Sequence, residues 1–402
     1  MDYDARTATV VLCGPGGEVF GALPPISLED HWWPGADVAV TAVQERFGIE
    51  VVILRLLAVD GDDAYAATQA TYLAQIDARP EIELAPVPAF SEHPWCQPWA
   101  LPGGPQDDVA WAVAELEAAG TPVAGRPEQI RSWHLSSIWR LPVATGAVWL
   151  KVVPPFLSHE GATLMELQSF PVPRLLASNG SRVLLAEVPG TDQEEPTRAL
   201  VEAMVRLLVA IQAEWAGRIR ELSALGLPDW RRRPVSEQGR VVFERVADRL
   251  DRNDLPALDR FFGALDQRWT QIERCGIPDS LVHGDFHSGN LRWDGTDLTL
   301  LDWGDSGIGH PMLDQAAFLK SLIEPHQVVA AGRVWTDAWQ RMVPGSDPAR
   351  AATLLAPIGA LRQALIYQNF EDNIEPVERL YHHNEPVLWL TRLAAAVRSE
   401  RS

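Results

Sequence analysis

The chain of 402 residues carries a formal net charge of −20. Its length is too great for one ordinary core, so two or three domains are expected, and 47% hydrophobic with 22% charged residues is the composition of a globular protein. The acidity argues against nucleic acid or an anionic membrane as a partner and suits small cationic molecules.

From the N-terminus, MDYDARTATVV has neither the basic start nor the apolar core of a secretory signal, and no apolar run reaches the ~20 residues of a membrane span. Three widely spaced cysteines, Cys13, Cys96 and Cys275, make neither a disulfide framework nor a zinc motif. A cytoplasmic location is the expectation. Residues 1–88 read as a small α/β domain: strand-like TATVVLCG, helical ADVAVTAVQERFG stopped by Gly48, then strand-like VVILRLLAV and ATYLAQI. The helix from 37 to 47, with VQERFGI, resembles the end of a Nudix motif. Of the metal-holding glutamates only Glu45 is in place; Thr41, Ala42 and Arg46 stand where that family carries Arg, Glu and Glu. The resemblance implies a Nudix-like cap without hydrolase chemistry.

Residues 89–126, with HPWCQPWALPGGP, read as a connector holding one helix, DDVAWAVAELEAAG, ended by Gly120. From 127 to 189 the chain is strand-rich: RSWHLSSIWRLP, GAVWLKVVPP, VPRLLAS and RVLLAEVPG. A short helix in SHEGATLMEL interrupts them, with Ser158 as its expected cap and Glu160 in its first turn. From 190 to 402 long amphipathic helices dominate, the first marked on one face by Val201, Met204, Val205, Leu208, Ile211 and Trp215. The order implies an α+β fold, a small α/β domain preceding a β-rich and then a helical segment.

The chemistry gathers in LVHGDFHSGN, residues 281–290, and the run that follows. Asp294-Gly295 between two short alternating runs predicts a hairpin, whose ends bring Asn290 and Asp302 together, with Asp285 on the loop just before. Two carboxylates and an amide oxygen form a hard-oxygen site suited to Mg²⁺, which takes its other ligands from phosphates and water. Of the 34 Lys and Arg residues only Lys151 and Lys320 are lysine. Lys151, closing a strand run, is therefore singled out for phosphate binding, while Lys320 reads as a solvated helix residue. Phosphoryl transfer needs a base, a lysine, an acidic partner for that lysine and metal ligands. Asp285, Lys151, Glu160, Asn290 and Asp302 supply them in the chain order that kinase-like enzymes use.

HGDFHSGN and DWGDSGIGHPMLD, residues 302–314, resemble the H-G-D-x-H-x-x-N and D-W-x-x-x-x-x-G-x-P-x-x-D motifs of the aminoglycoside phosphotransferase family, protein-kinase-like small-molecule kinases, over residues ~127–402. The resemblance implies a bilobal kinase-like fold, with a β-rich N-lobe at 127–189 and a helical C-lobe at 190–402. It implies Asp285 as catalytic base, Asn290 and Asp302 as Mg²⁺ ligands, and Lys151 on the nucleotide phosphates with Glu160 as its ion-pair partner. Glu187 and Val188 match the hinge that receives the base of ATP or GTP. The nucleotide-covering loop falls in RSWHLSSIWRL, which has no glycine; Ser136 and Ser137 are expected in its turn, offering hydroxyls and N–H groups to phosphate.

His283 and His287 read as loop scaffolding, and Asp314 as the anchor of the metal-bearing segment. For the acceptor, residues 368–386 gather Glu371, Asp372, Glu375 and Glu378 beside Tyr381, His382 and His383, with DQEEP at 192–196 as a second acidic patch. An acidic lip there would suit an amino sugar or an aminoglycoside-like antibiotic; a solvated helix face would explain the same charges. The rival reading is a pseudokinase that binds nucleotide without catalysis, suggested by the glycine-free turn.

Overall fold

A computed structural model describes residues 6–28, 33–87, 90, 92–193, 195–382 and 384–400. The chain forms two compact units: the first comprises Met1–Gly161, Leu175–Glu187 and Phe370–His383, the second Ala162–Arg174, Val188–Asn369 and Asn384–Ser402.

The first unit opens with β1 (Arg6–Cys13), β2 (Val19–Ala22), β3 (Ile26–Leu28), α1 (Ala36–Phe47), β4 (Val52–Val59) and β5 (Gln69–Gln75). β1 pairs antiparallel with β2 and β3 and parallel with β5, which pairs antiparallel with β4. Ala8, Val10 and Leu12 alternate along β1 onto the face that meets Ala36, Ala39 and Val43 of α1, and Ile53, Leu56 and Tyr72 complete this core. α1 ends at Gly48, which takes a left-handed φ of 67° and donates its N–H back to Gln44. The short β2 and β3 were not legible in sequence, being four and three residues long.

α2 (Gly104–Ala118) starts ahead of its acidic cluster because Gly104-Pro105 supply the first turn. β6 (Glu128–Trp133), β7 (Ser136–Val143), β8 (Gly146–Val152), α3 (Glu160–Glu166), β9 (Leu175–Asn179) and β10 (Arg182–Ala186) follow. Their sheet is antiparallel throughout, in the order β6-β7-β8-β10-β9. Ala112 and Leu116 of α2 pack with its Trp139, Leu141, Leu150 and Leu184. Ser158 is not the cap expected for α3. It ends a 3₁₀ turn over Pro155–Leu157 and its hydroxyl donates to the Pro155 carbonyl, 2.7 Å away.

The second unit holds β11 (Thr191–Asp192), α4 (Arg198–Glu214), α5 (Ile219–Ala224), α6 (Arg232–Val246) and α7 (Leu255–Glu273). β12 (Ser280–Val282), β13 (Leu291–Trp293), β14 (Leu298–Leu300) and β15 (Gly307–Gly309) come next, then α8 (Leu313–Ser321), α9 (Pro325–Met342), α10 (Pro348–Asn373) and α11 (Glu385–Ser399). The last residues of α10 are counted in the first unit. α4 buries Val201, Met204, Val205, Leu208 and Ile211, the stripe read from sequence, and the Thr197 hydroxyl caps its start by accepting from Leu200 N–H. β12 pairs with β15, and β11-β13-β14 form a small sheet. Among the described residues no helix is long and apolar enough to cross a membrane.

Candidate active site

In the first unit, Lys151 lies on β8 in register with Val183 of β10 and Ile138 of β7. The strand holds its ammonium toward the start of α3, where Nζ lies 2.9 Å from Glu160 Oε1 and 2.8 Å from Oε2. Glu160 is buried and the lysine side chain mostly so, which gives the pair a fixed geometry that a flexible surface lysine would lack. α3 sits close because its second residue is Gly161: a Cβ there would run into Ser178 and Val183 of β9 and β10.

In the second unit, the hairpin forms with Leu291 opposite Leu300, and Leu301 N–H donates to the Asn290 carbonyl over 2.8 Å. Its turn is longer than the Asp-Gly pair suggested: residues 294–297 lie between the strands, and Asp294 Oδ1 accepts the N–H groups of Thr296 and Asp297. Asn290 therefore stands at the hairpin's mouth. Its Nδ2 donates to the Asp285 carbonyl at 2.9 Å and to Asp285 Oδ2 at 3.2 Å, so its amide oxygen is the atom left for a further ligand. Asp302, one residue past the ladder, takes φ 57°. A non-glycine residue in that region costs roughly 1–3 kcal/mol and persists where the surroundings impose it.

Asp285 is half-exposed, with the His287 imidazole 3.4 Å from its Oδ2. His287 Nδ1 accepts the Gly289 N–H, so the proton of the neutral ring is on the Nε2 that faces Asp285. Burial works to raise the Asp285 carboxyl, but hydrogen bonding and charge from His287 outweigh it and hold Asp285 below the usual carboxylate range. Asp302 opposes that shift, which places its charge within electrostatic range of Asp285. The same hydrogen bond and the two carboxylates raise His287. With Oδ2 engaged by Asn290 and His287, Oδ1 remains as the acceptor for an incoming proton.

Behind the loop, Asp314 in the first turn of α8 is fully buried. It accepts the N–H groups of His283 and Gly284, both at 2.9 Å, and Gln212 Nε2 at 2.9 Å. It thus anchors the loop that carries Asp285 and Asn290. Arg362, also buried, donates to the Gly284 carbonyl at 3.2 Å and stacks over Trp230. His283 donates its Nε2–H to the Leu301 carbonyl, 2.9 Å away, while its Nδ1 accepts the Asp285 N–H, and the ring tilts against Trp303. Burial lowers the His283 pKa and so favours its neutral form. Gln212 and Arg362 carry no motif and were missed from sequence.

Other expected site residues lie elsewhere. Ser136 and Ser137 are not in the turn: His134 and Leu135 form it, and both serines begin β7 with their side chains buried. Their hydroxyls accept from the indoles of Trp133 and Trp139, at 2.9 and 3.1 Å. Both hydroxyls thus lie in the interior, at 4% and 0% exposure. Glu187 is exposed and Val188 half-buried, and the chain passes from the first unit to the second between them. Glu371 and Asp372 are half-buried at the end of α10. Glu375 is not on an acidic lip, nor on a solvated face: it is buried against Arg55, Nη1 to Oε1 2.5 Å. Glu378 is buried too, against His134. Glu194 and His383 lie outside the described residues. Lys320 is exposed over the Trp389 ring.

Residues 145–351, a little over half of the chain, match the model of the phosphotransferase enzyme family. The chain belongs to that family. It is accordingly an enzyme, a small-molecule kinase. No curated protein matches the sequence. Among solved structures, choline kinase LicA from Streptococcus pneumoniae is 11% identical with TM-score 0.52, over 72% of this chain and 99% of that one. Choline kinase from Cryptosporidium parvum Iowa II is 8% identical with TM-score 0.50, over 73% and 96%. A Ralstonia eutropha JMP134 protein assigned as an aminoglycoside phosphotransferase is 17% identical with TM-score 0.50, over 72% and 98%. These likenesses show the kinase-like α+β fold.

Proposed function

We propose that this phosphotransferase moves the γ-phosphoryl group of ATP or GTP, with Mg²⁺, to a hydroxyl of a small cationic acceptor such as an amino sugar, an aminoglycoside-like antibiotic or a related metabolite. The observation that carries the reading is the Asp285 loop: a carboxylate held ionised by His287, fixed by Asn290 and anchored from behind by Asp314. In this role Asp285 Oδ1 takes the proton of the acceptor hydroxyl as its oxygen bonds the γ-phosphorus and the nucleoside diphosphate departs. Lys151, steadied by Glu160, binds the donor phosphates, and Glu187 and Val188 receive the base.

Asn290 and Asp302 fit a hard divalent ion, since both offer oxygen and the amide nitrogen of Asn290 is already engaged. Among the described residues no three His, Cys, Asp or Glu side chains form an ion site by themselves, so the remaining ligands would be phosphate oxygens and water. When bound, Mg²⁺ supplies neutralisation of the charge developing on the transferred group. A cationic acceptor is supported by the net charge of −20 and by the amine-bearing substrates that the neighbours' names imply. With Glu375 withdrawn into the interior, Glu371 and Asp372 are what remains of the acidic patch.

The test is transfer from MgATP and from MgGTP to a panel of amino sugars, aminoglycosides and choline, followed by release of nucleoside diphosphate and by mass of the product. Acceptor-stimulated release is expected. Tight nucleotide binding with no turnover on any acceptor would return the binding-protein reading.

A further inference from the structure

Among the described residues of the first unit, a buried polar cluster surrounds the glycine-free turn. β6 is stitched to the N-terminal domain along its length: Gln129 exchanges two hydrogen bonds with the Ile53 backbone at 2.8 and 2.7 Å, and the Ser132 hydroxyl donates to the Leu54 carbonyl at 2.8 Å. At its end, the His134 Nδ1 lies 2.8 Å from Glu378 Oε2, with both side chains at most 3% exposed. Burial raises the Glu378 carboxyl, and the backbone of Leu56 and of His134 beside it works in the opposite direction. His134 Nε2 meets His382 Nε2 at 2.7 Å, and the Tyr381 ring stacks on the imidazole. One residue away from Leu56, Arg55 makes the buried pair with Glu375 and lies 3.2 Å from Cys96 Sγ. Tyr381 itself belongs to the core of the first sheet.

A kinase turn that covers nucleotide ordinarily draws its phosphate-hugging shape from glycine. Here two segments distant in sequence, 53–56 and 375–382, hold a two-residue turn and its strand from outside. A buried carboxyl joined to a buried imidazole pair is costly to leave half-satisfied, so such a cluster specifies one conformation. We propose that Glu378 is a positioning residue for the phosphoryl donor: from the segment Phe370–His383 it clamps the His134–Leu135 turn onto the N-terminal domain, so that the turn is pre-shaped for the nucleotide. This rests on the reading that the first unit binds the donor. The N-terminal domain is then a brace, without ligand chemistry of its own.

The test measures MgATP and MgGTP binding by calorimetry, with amide hydrogen exchange, on the full chain. Glu378→Ala removes the buried partner of His134 Nδ1; nucleotide Kd is expected to rise about tenfold, the scale of one well-made buried hydrogen bond. Exchange should quicken at the Leu56 and His134 amides, while those of His283 and Gly284 keep their protection. Glu378→Gln, which keeps an acceptor oxygen and the shape, should restore most of the affinity. Should the alanine protein fail to fold, His134→Gln removes the clamp from the other side and is expected to shift Kd the same way. Lys151→Ala run in parallel separates two failures. If it weakens binding while a folded Glu378→Ala protein binds normally, the brace is refuted and the donor site stands. If neither changes binding, the donor-site reading falls and the brace falls with it.

Discussion

Asp285 and His287 set each other's protonation, and this has a measurable sign. Asp285→Ala should lower turnover by about 10²–10⁴, the usual worth of a positioned general base, with nucleotide binding retained in calorimetry. His287→Ala removes the group that lowers the Asp285 pKa, leaving burial and Asp302 to raise it. The acid limb of the kcat/KM profile should therefore move to higher pH in that variant; an unmoved limb would deny the coupling. For stability the signs are opposite. The raised His287 favours the fold below its ordinary pKa and loses that contribution as pH rises past it, whereas the lowered Asp285 contributes above the carboxylate range and loses it in acid. The D-x-x-x-x-N spacing made Asp285 and Asn290 legible because their contact is local. The role of His287 was hidden: its spacing fits scaffolding equally well, and only geometry shows which nitrogen faces the carboxylate.

At the scale of elements, the loop between β12 and the hairpin is fixed by α8, through Asp314. Asp314→Ala leaves the His283 and Gly284 N–H groups and Gln212 Nε2 without their acceptor and takes from the buried Arg362 one of three carboxylates that act on it. A loss of roughly 3 kcal/mol, read as a lower melting temperature, is expected together with reduced turnover. Gly284 is as constrained: its φ is 93°, and a Cβ would drive into the Asp305 carbonyl. Gly284→Ala should thus be destabilising by a comparable amount in denaturant titration. Strands were readable where side chains alternate in and out, as along β1, and helices where a stripe repeats, as on α4. The parallel pairing of β1 with β5 was not, since alternation gives a strand's faces but not its neighbour. Ser136 and Ser137 misled for a related reason: the turn occupies the two residues before them, so both serines fall on the strand, where their side chains are buried.

Across the whole molecule, the acidic patch at 371–378 shows what a helical pattern conceals. Spacing gives a face, not what covers it, and the partners of Glu375 and Glu378 stand 320 and 244 residues away. Burial pushes Glu378 up to about 8, and burial pushes His134 and His382 down to about 3 and about 2. A raised carboxyl stabilises the fold below its ordinary pKa and loses that contribution as pH climbs through about 8. The two lowered histidines stabilise it above their ordinary value and lose this as pH falls toward their folded ones. Above about pH 6.5, where both histidines have completed their gain, the melting temperature of the full chain should accordingly decline up to about pH 8 by an amount that Glu378→Gln reduces; an identical slope in both proteins would exclude the cluster as its source. The same long reach bears on biosynthesis. Arg55 and His134 leave the ribosome well before the carboxylates that neutralise and cap them are translated, so the N-terminal sheets wait, with a raw polar seam, for the final tenth of the protein. Nascent chains stalled short of residue 370 are where aggregation and chaperone demand would concentrate, and an expression clone ending near residue 190 would yield an unfinished half that only the missing peptide, added in trans, could complete.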